Sequence, residues 1–158
     1  MAKRVIIGDI IEIPTTKGLA YAQYTHKDEL MGALLRVLPN FYQVRLPDFQ
    51  NIVSEPTKFH VFFPLQAAVN RKIFEVVANV DLSEQEKTFP LFRAAGHITR
   101  EGKVSDWWLW DGSGSWRVPH LTPDQQNLPI KEIWNDTLLI ERLEKGWTPK
   151  DDPHVKER

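Results

Sequence analysis

At 158 residues the chain is long enough for one domain to close its own core, and it must do so without disulfides, because it contains no cysteine. The lack of thiols also excludes thiolate catalysis, zinc–cysteine sites and iron–sulfur clusters. The net charge of −1 is spread along the chain, with nine Lys/Arg against seven Asp/Glu in residues 1–80 and eleven against fourteen in 81–158, so neither half carries the basic excess that phosphate backbones select. The opening residues place only Val5, Ile6 and Ile7 before Gly8 and Asp9. That run is shorter than a secretory leader's apolar stretch of about 7–15 residues, and no later run approaches the roughly 18 that a membrane span needs. A cytoplasmic location is expected.

Eleven prolines, scattered without repeat or linker, punctuate short segments and point to strands more than to long helices. Arg4–Ile13 reads as a first strand with a bulge at Gly8-Asp9, followed by a turn over Pro14–Gly18. Leu19–Thr25 alternates and completes a hairpin. From Asp28 to Leu38 the spacing of Leu30, Leu34 and Leu38 is helical, against the presence of Gly32. Phe41–Leu46 and Phe59–Phe63 read as strands, Leu65–Val69 as a helical turn opened by Pro64, and Lys72–Val80 as another strand. Asp81–Pro90 is polar and reads as a surface loop.

Phe92–Thr99 and Val104–Trp110 form the pattern of a hairpin turned by Arg100–Lys103, with Trp116–Pro119 extended after it. Thr122 and Gln125 have capping-box spacing, and Pro129 keeps any helix there brief. Asp136–Lys145 is the best helix, with Asp136 as its cap, Leu139 and Leu143 on one face and Gly146 as its stop. The sum is an α+β fold, mostly antiparallel β-sheet, open or partly closed into a barrel, with a C-terminal helix packed on it. Residues 1–148 form a single domain, and the charged 149–158 reads as a frayed tail.

Catalytic patterns are few. No phosphate-binding glycine loop is present, and Gly112-Ser113-Gly114 lacks the spacing of a nucleophile elbow, so it reads as a turn. His26, His60, His97, His120 and His154 do not pair at metal-ligand spacing, and no metal or cofactor is expected. Asp106 and Asp111 flank a tryptophan strand, where two carboxylates beside aromatics suit glycoside cleavage. On an extended strand they would lie about 16 Å apart, too far for a retaining pair. A dispersed enzymatic site would draw on His60, His97 or Asp106.

The chain has 17 aromatics, and four of its six tryptophans fall between 107 and 116. Alternation sets Trp108 and Trp110 on one face of the strand and Trp107 and Leu109 on the other. Such residues supply core, or a contact face, since tryptophan is enriched among interface hot spots. The candidate partner-binding set is Trp108, Trp110, Asp111 and Trp116, with Tyr24 from the second strand.

Gly8-Asp9-Ile10-Ile11-Glu12-Ile13-Pro14, followed by Gly18-Leu19-Ala20-Tyr21-Ala22-Gln23, resembles the opening of the immunity protein 26 family of bacterial polymorphic toxin systems. Phe59–Phe63, Lys72–Val77, Pro90–Arg93 and Trp108–Gly112 extend the resemblance over roughly residues 4–112. Phe74 and Val77-Ala78 stand where the family pattern has a tryptophan and an Ile-Gly pair. The resemblance implies a protein that neutralises a cognate toxin by direct stoichiometric binding, without catalysis. A carbohydrate- or nucleic-acid-binding module using the aromatic sheet is the alternative, and a small enzyme the third reading.

Overall fold

The computed structural model describes residues 3–156. Five antiparallel strands form one sheet in the order β4-β3-β2-β1-β5: β1 (Asp9–Thr15), β2 (Gly18–Asp28), β3 (Gly32–Val37), β4 (Phe59–Phe63) and β5 (Glu75–Asn79). A second sheet holds β6 (Phe92–Ala95), β7 (Trp107–Trp110) and β8 (Ser115–Val118) in sequence order. The helices are α1 (Leu65–Asn70), α2 (Asp136–Glu144) and α3 (Pro153–Lys156). The α+β class holds, with antiparallel sheet dominant. Neither sheet closes into a barrel, because β4 and β5 stand as separate edges of the first. Among the described residues no helix is long and apolar enough to cross a membrane.

The first hairpin is tighter than the sequence pattern suggests. Thr15 pairs with Gly18 across a turn of only Thr16 and Lys17, and the Thr15 hydroxyl donates to the Gly18 carbonyl at 2.7 Å. Gly18 sits at φ +125°, where a Cβ would stand 2.8 Å from the Tyr42 carbonyl oxygen, so only glycine fits. The strand does not start at Arg4. It begins at Asp9, and residues before Gly8 run beside α1, where the Val5 amide donates to Gln66 Oε1.

Residues 28–38 are not helical. Leu30, Leu34 and Leu38 are four apart, and four is an even number, so the spacing satisfies a strand's alternation as well as a helix's turn. Asp28 and Gly32 decide the matter. The Asp28 carboxylate accepts from the amides of Leu30 and Met31, Gly32 adopts φ +87°, and β2 reverses into β3. Phe41–Leu46 is likewise no strand. It is a loop joined to β2 by the single Leu19–Tyr42 bridge and pinned by Arg45, whose guanidinium grips the Glu12 carboxylate at 2.8 and 2.9 Å.

Alternation gives the first sheet two buried faces. Ile11, Ile13, Leu35, Val37, Val61 and Phe63 pack on one side beneath α1, α2 and Trp134. On the other side, Ile10 and Tyr21 meet Phe49 and Ile52 of the long loop, while Leu34 and Phe62 meet Phe92 and Trp110 of the second sheet. The Phe62 and Phe92 rings stack with centroids 5.0 Å apart and fasten the two sheets together.

The sequence reading of the C-terminal part needs two corrections. Asn135, not Asp136, caps α2: its side-chain oxygen accepts from the Leu138 amide at 2.8 Å, one residue earlier than the acidic residue suggests. The segment expected to fray is packed as far as it is described. Arg93, fully buried in β6, donates to the Asp152 carboxylate at 2.9 Å and to the Pro149 carbonyl at 2.6 Å. Val155 is buried with Trp107, Leu109 and Leu121. Residues 157–158 lie outside the described residues.

Candidate functional site

The second sheet holds most of the residues singled out in the sequence. Its register aligns Ala94, Trp108 and Arg117 across the three strands, and Arg93, Leu109 and Trp116 in the next row. Neighbouring rows point to opposite faces of a pleated sheet. Trp108 and Trp116 therefore face opposite ways and do not form one patch, although both are exposed, at 39% and 44%.

Trp108 and Trp110 share a face yet differ in burial. Trp110, 9% exposed, lies among Phe62, Phe89 and Phe92, with the Lys131 ammonium 4.3 Å from its ring centroid. Two residues along the strand is about 7 Å. That step carries Trp108 past the contact with the first sheet and into solvent. Trp110 thus belongs to the core, and this corrects its place among the contact residues. Tyr24 is also core, 5% exposed beneath the first sheet, and burial raises its phenol pKa with help from the Asp9 carboxylate.

Trp108 has a charged neighbour that sequence reasoning did not single out. Arg117 stands directly across from it in the register. Its Nε donates to Asp106 at 2.7 Å, and the other Asp106 oxygen accepts from the His97 amide at 2.7 Å. The backbone bond from His97 and then the bond from Arg117 hold the Asp106 carboxyl below its usual range. Asp106 therefore orients Arg117 beside the exposed ring. The only sequence signal for this was the alternation of Trp116, Arg117 and Val118, which places the arginine but not its partner.

Asp111 has a turn-making role. Its Oδ1 accepts from the amides of Ser113 and Gly114 at 2.9 and 2.8 Å, and these bonds lower its pKa. Gly112, between Asp111 and Ser113, adopts φ +92°, with space for a Cβ closed by the Phe89 ring at 2.8 Å. The two carboxylates considered for glycoside cleavage are each committed to a separate loop.

His60 faces a polar layer inside the fold. It lies in register with Arg36 and Gln23 across β4, β3 and β2. Burial pushes its pKa down to about 4, assisted by His26 and Arg36. Arg36 donates to Gln23 and to the carbonyls of Val53 and Glu55, and so staples the long loop to the sheet. Glu86 of the 81–90 loop sits 3.9 Å from both Arg36 and His60. His97, by contrast, is exposed, and its backbone amide donates to Asp106. The dispersed residues His60, His97 and Asp106 are not gathered at one place: His60 lies within the first sheet's polar layer and the other two at the margin of the second sheet. Among the described residues no three acidic or histidine side chains are grouped to hold a metal ion.

A second exposed apolar region lies at the far end of the first sheet, around the β2–β3 turn, where Ile6, Ile7, Leu30 and Ile133 border an open groove of about 1180 Å³. The helical reading of residues 28–38 concealed it. The turn signal of Asp28 with Gly32 was the feature that marked it. Comparison with protein-family models, curated proteins and solved structures finds no match to this chain.

Proposed function

We propose that this chain is an immunity protein that neutralises a cognate bacterial toxin in the cytoplasm by stoichiometric binding, using the Trp108 face of the second sheet as its anchor. The observation that carries the reading is the pairing of an exposed Trp108 with Arg117, held in place by Asp106. Tryptophan and arginine are the residue types most enriched at hot spots, and a side chain already fixed in the free protein loses less entropy on binding. Occlusion of a toxin's active face demands a slowly dissociating interface and no reactive group. The resemblance of Gly8–Pro14 and Gly18–Gln23 to the immunity protein 26 opening supports the same reading.

A tagged pull-down from the source cells, with sizing and mass identification of the co-eluting material, tests it. The expected result is one protein partner in stoichiometric amount, lost with Trp108→Ala and with Arg117→Ala. Recovery of the chain alone from cells shown to express the candidate toxin overturns the reading. So does a partner that binds the Trp108→Ala chain undiminished.

A further inference from the structure

Backbone bonding divides the edges of the two sheets into capped and open ones. In an antiparallel ladder, bonded and non-bonded pairs alternate, and a residue of a non-bonded pair turns its N–H and C=O away from its neighbour. The Asp111 amide donates to the Gly114 carbonyl, and the Gly96 amide to the Asp106 carbonyl. The same alternation bonds Leu109 to Trp116 and Trp107 to Val118, and turns the backbone groups of Arg93, Ser115 and Arg117 outward, away from β7. On β6 the outward groups are met: the Arg93 amide donates to the Pro129 carbonyl and the Arg93 carbonyl accepts from the Lys131 amide, each at 2.9 Å. In the first sheet the Trp134 amide reaches the Phe62 carbonyl of β4, and β5 carries a bulge at Val77 and the Glu75–Arg45 ion pair, devices that blunt an edge. β8 has neither cap nor bulge. Among the described residues nothing bonds to the outward N–H and C=O groups of Ser115 and Arg117.

The side chains of β8 differ on its two faces. Trp116 is exposed on one, and Arg117 stands beside the exposed Trp108 on the other. Arg117 gives its Nε to Asp106, and its two terminal nitrogens donate to nothing among the described residues. A partner laid flat against the sheet meets one of these faces. An extended segment paired along the edge meets both, because its side chains alternate as the strand's own do. Outward N–H and C=O groups on alternate residues are matched by another extended backbone, and the free end of a guanidinium by a carboxylate. We infer that β8 is the docking edge for an extended segment of the protein partner. That segment adds to the second sheet as a fourth strand, with an acidic residue across from Arg117 and an apolar residue across from Trp116. This rests on the toxin-binding reading above and gives that reading its geometry: the edge supplies backbone bonds, and Trp108 and Trp116 contact the partner from opposite faces of one sheet.

Proline at position 115 tests it on the full chain. The Ser115 N–H points outward, so Ser115→Pro removes a docking donor without breaking a bond to β7, and the thermal midpoint stays in place. The expected result is an affinity for the captured partner lowered at least about 10-fold, with the Trp108 and Arg117 side chains intact. Amide hydrogen exchange of the unsubstituted chain gives a second readout. Trp116 and Val118 are protected throughout, whereas Ser115 and Arg117 exchange freely in the free chain and become protected in the complex. A partner lost with Trp108→Ala but held in full by Ser115→Pro overturns the inference and leaves the toxin reading standing. A chain that captures nothing overturns both. Ser115 and Arg117 amides that stay unprotected in the complex also overturn the inference, as does a newly protected partner segment with no acid across from Arg117. Protection of the same two amides in the free chain at millimolar concentration, lost on dilution, would mean that a second copy fills the edge, and would overturn it as well.

Discussion

Replacing Asp152 with alanine tests whether the C-terminal segment is part of the fold. Arg93 is fully buried, and burial alone depresses its pKa, while the Asp152 carboxylate opposes that shift. Its guanidinium has three acceptors: Asp152 Oδ2 at 2.9 Å, the Pro149 carbonyl at 2.6 Å and the Leu128 carbonyl at 3.2 Å. The Trp107 ring adds a cation–π contact, with its centroid 5.3 Å from the guanidinium carbon. One of the two carbonyls, that of Pro149, belongs to the segment that Asp152 helps to hold. Removing the carboxylate leaves a buried cation without its counter-charge, a change that costs about 3–5 kcal/mol in comparable settings. Asp152 is slightly exposed, so water reaches the gap and the lower end, about 3 kcal/mol, is expected. That is a large share of the roughly 5–15 kcal/mol that stabilises a typical domain. Urea unfolding followed by tryptophan fluorescence measures it, with the midpoint moving and the slope unchanged. A loss below about 0.5 kcal/mol, of the size expected for a neutral surface substitution, would refute the reasoning. It would return residues 149–156 to the frayed tail that their composition suggested.

Trp110→Ala empties a core position and costs about 3–5 kcal/mol, whereas Trp108→Ala costs about 1 kcal/mol, and thermal melts of the two variants separate them. Glu12 is lowered from its ordinary 4.5 by bonds from Arg45 and Tyr21. Its contribution to stability is therefore fully present above that value and is lost as pH falls through the lower folded value. Glu12→Gln flattens this part of the acid limb in a pH series of urea midpoints. Asn135→Ala costs about 1 kcal/mol by removing the α2 cap, and Asp136→Ala costs less than half of that, a comparison that thermal unfolding decides.

The parts of the fold legible in the sequence are those set by neighbours along the chain. Phe59–Phe63 is a run of apolar and aromatic residues closed by a proline, and it is β4. Leu65 after Pro64 opens α1, and Leu139 with Leu143 lays α2 on the first sheet. The β6–β7 hairpin follows from two alternating runs around a Gly-containing turn. Two of the failures turn on partners distant in the chain. The charged tail looked unpartnered because its counter-ion, Arg93, lies 59 residues away. Phe41–Leu46 has the composition of a strand, but the place it would need beside β3 is filled by β4, so it remains a loop across β2.

The tryptophan cluster shows where a pattern of alternation stops being informative. Alternation assigns Trp108 and Trp110 to one face and says nothing of how far a second layer covers that face. Coverage is set by Phe62, Phe89 and Phe92, which reach Trp110 from three separate segments and end there. Leu30 presents the same situation on the β2–β3 turn: it shares a strand parity with Leu34, which packs with Phe62 and Phe92, yet the turn carries it beyond them. In both places a large apolar side chain continues the pattern of a buried one past the edge of the layer that covers it. The edge of that aromatic layer is therefore what separates a core tryptophan from an exposed one on a single face of the strand.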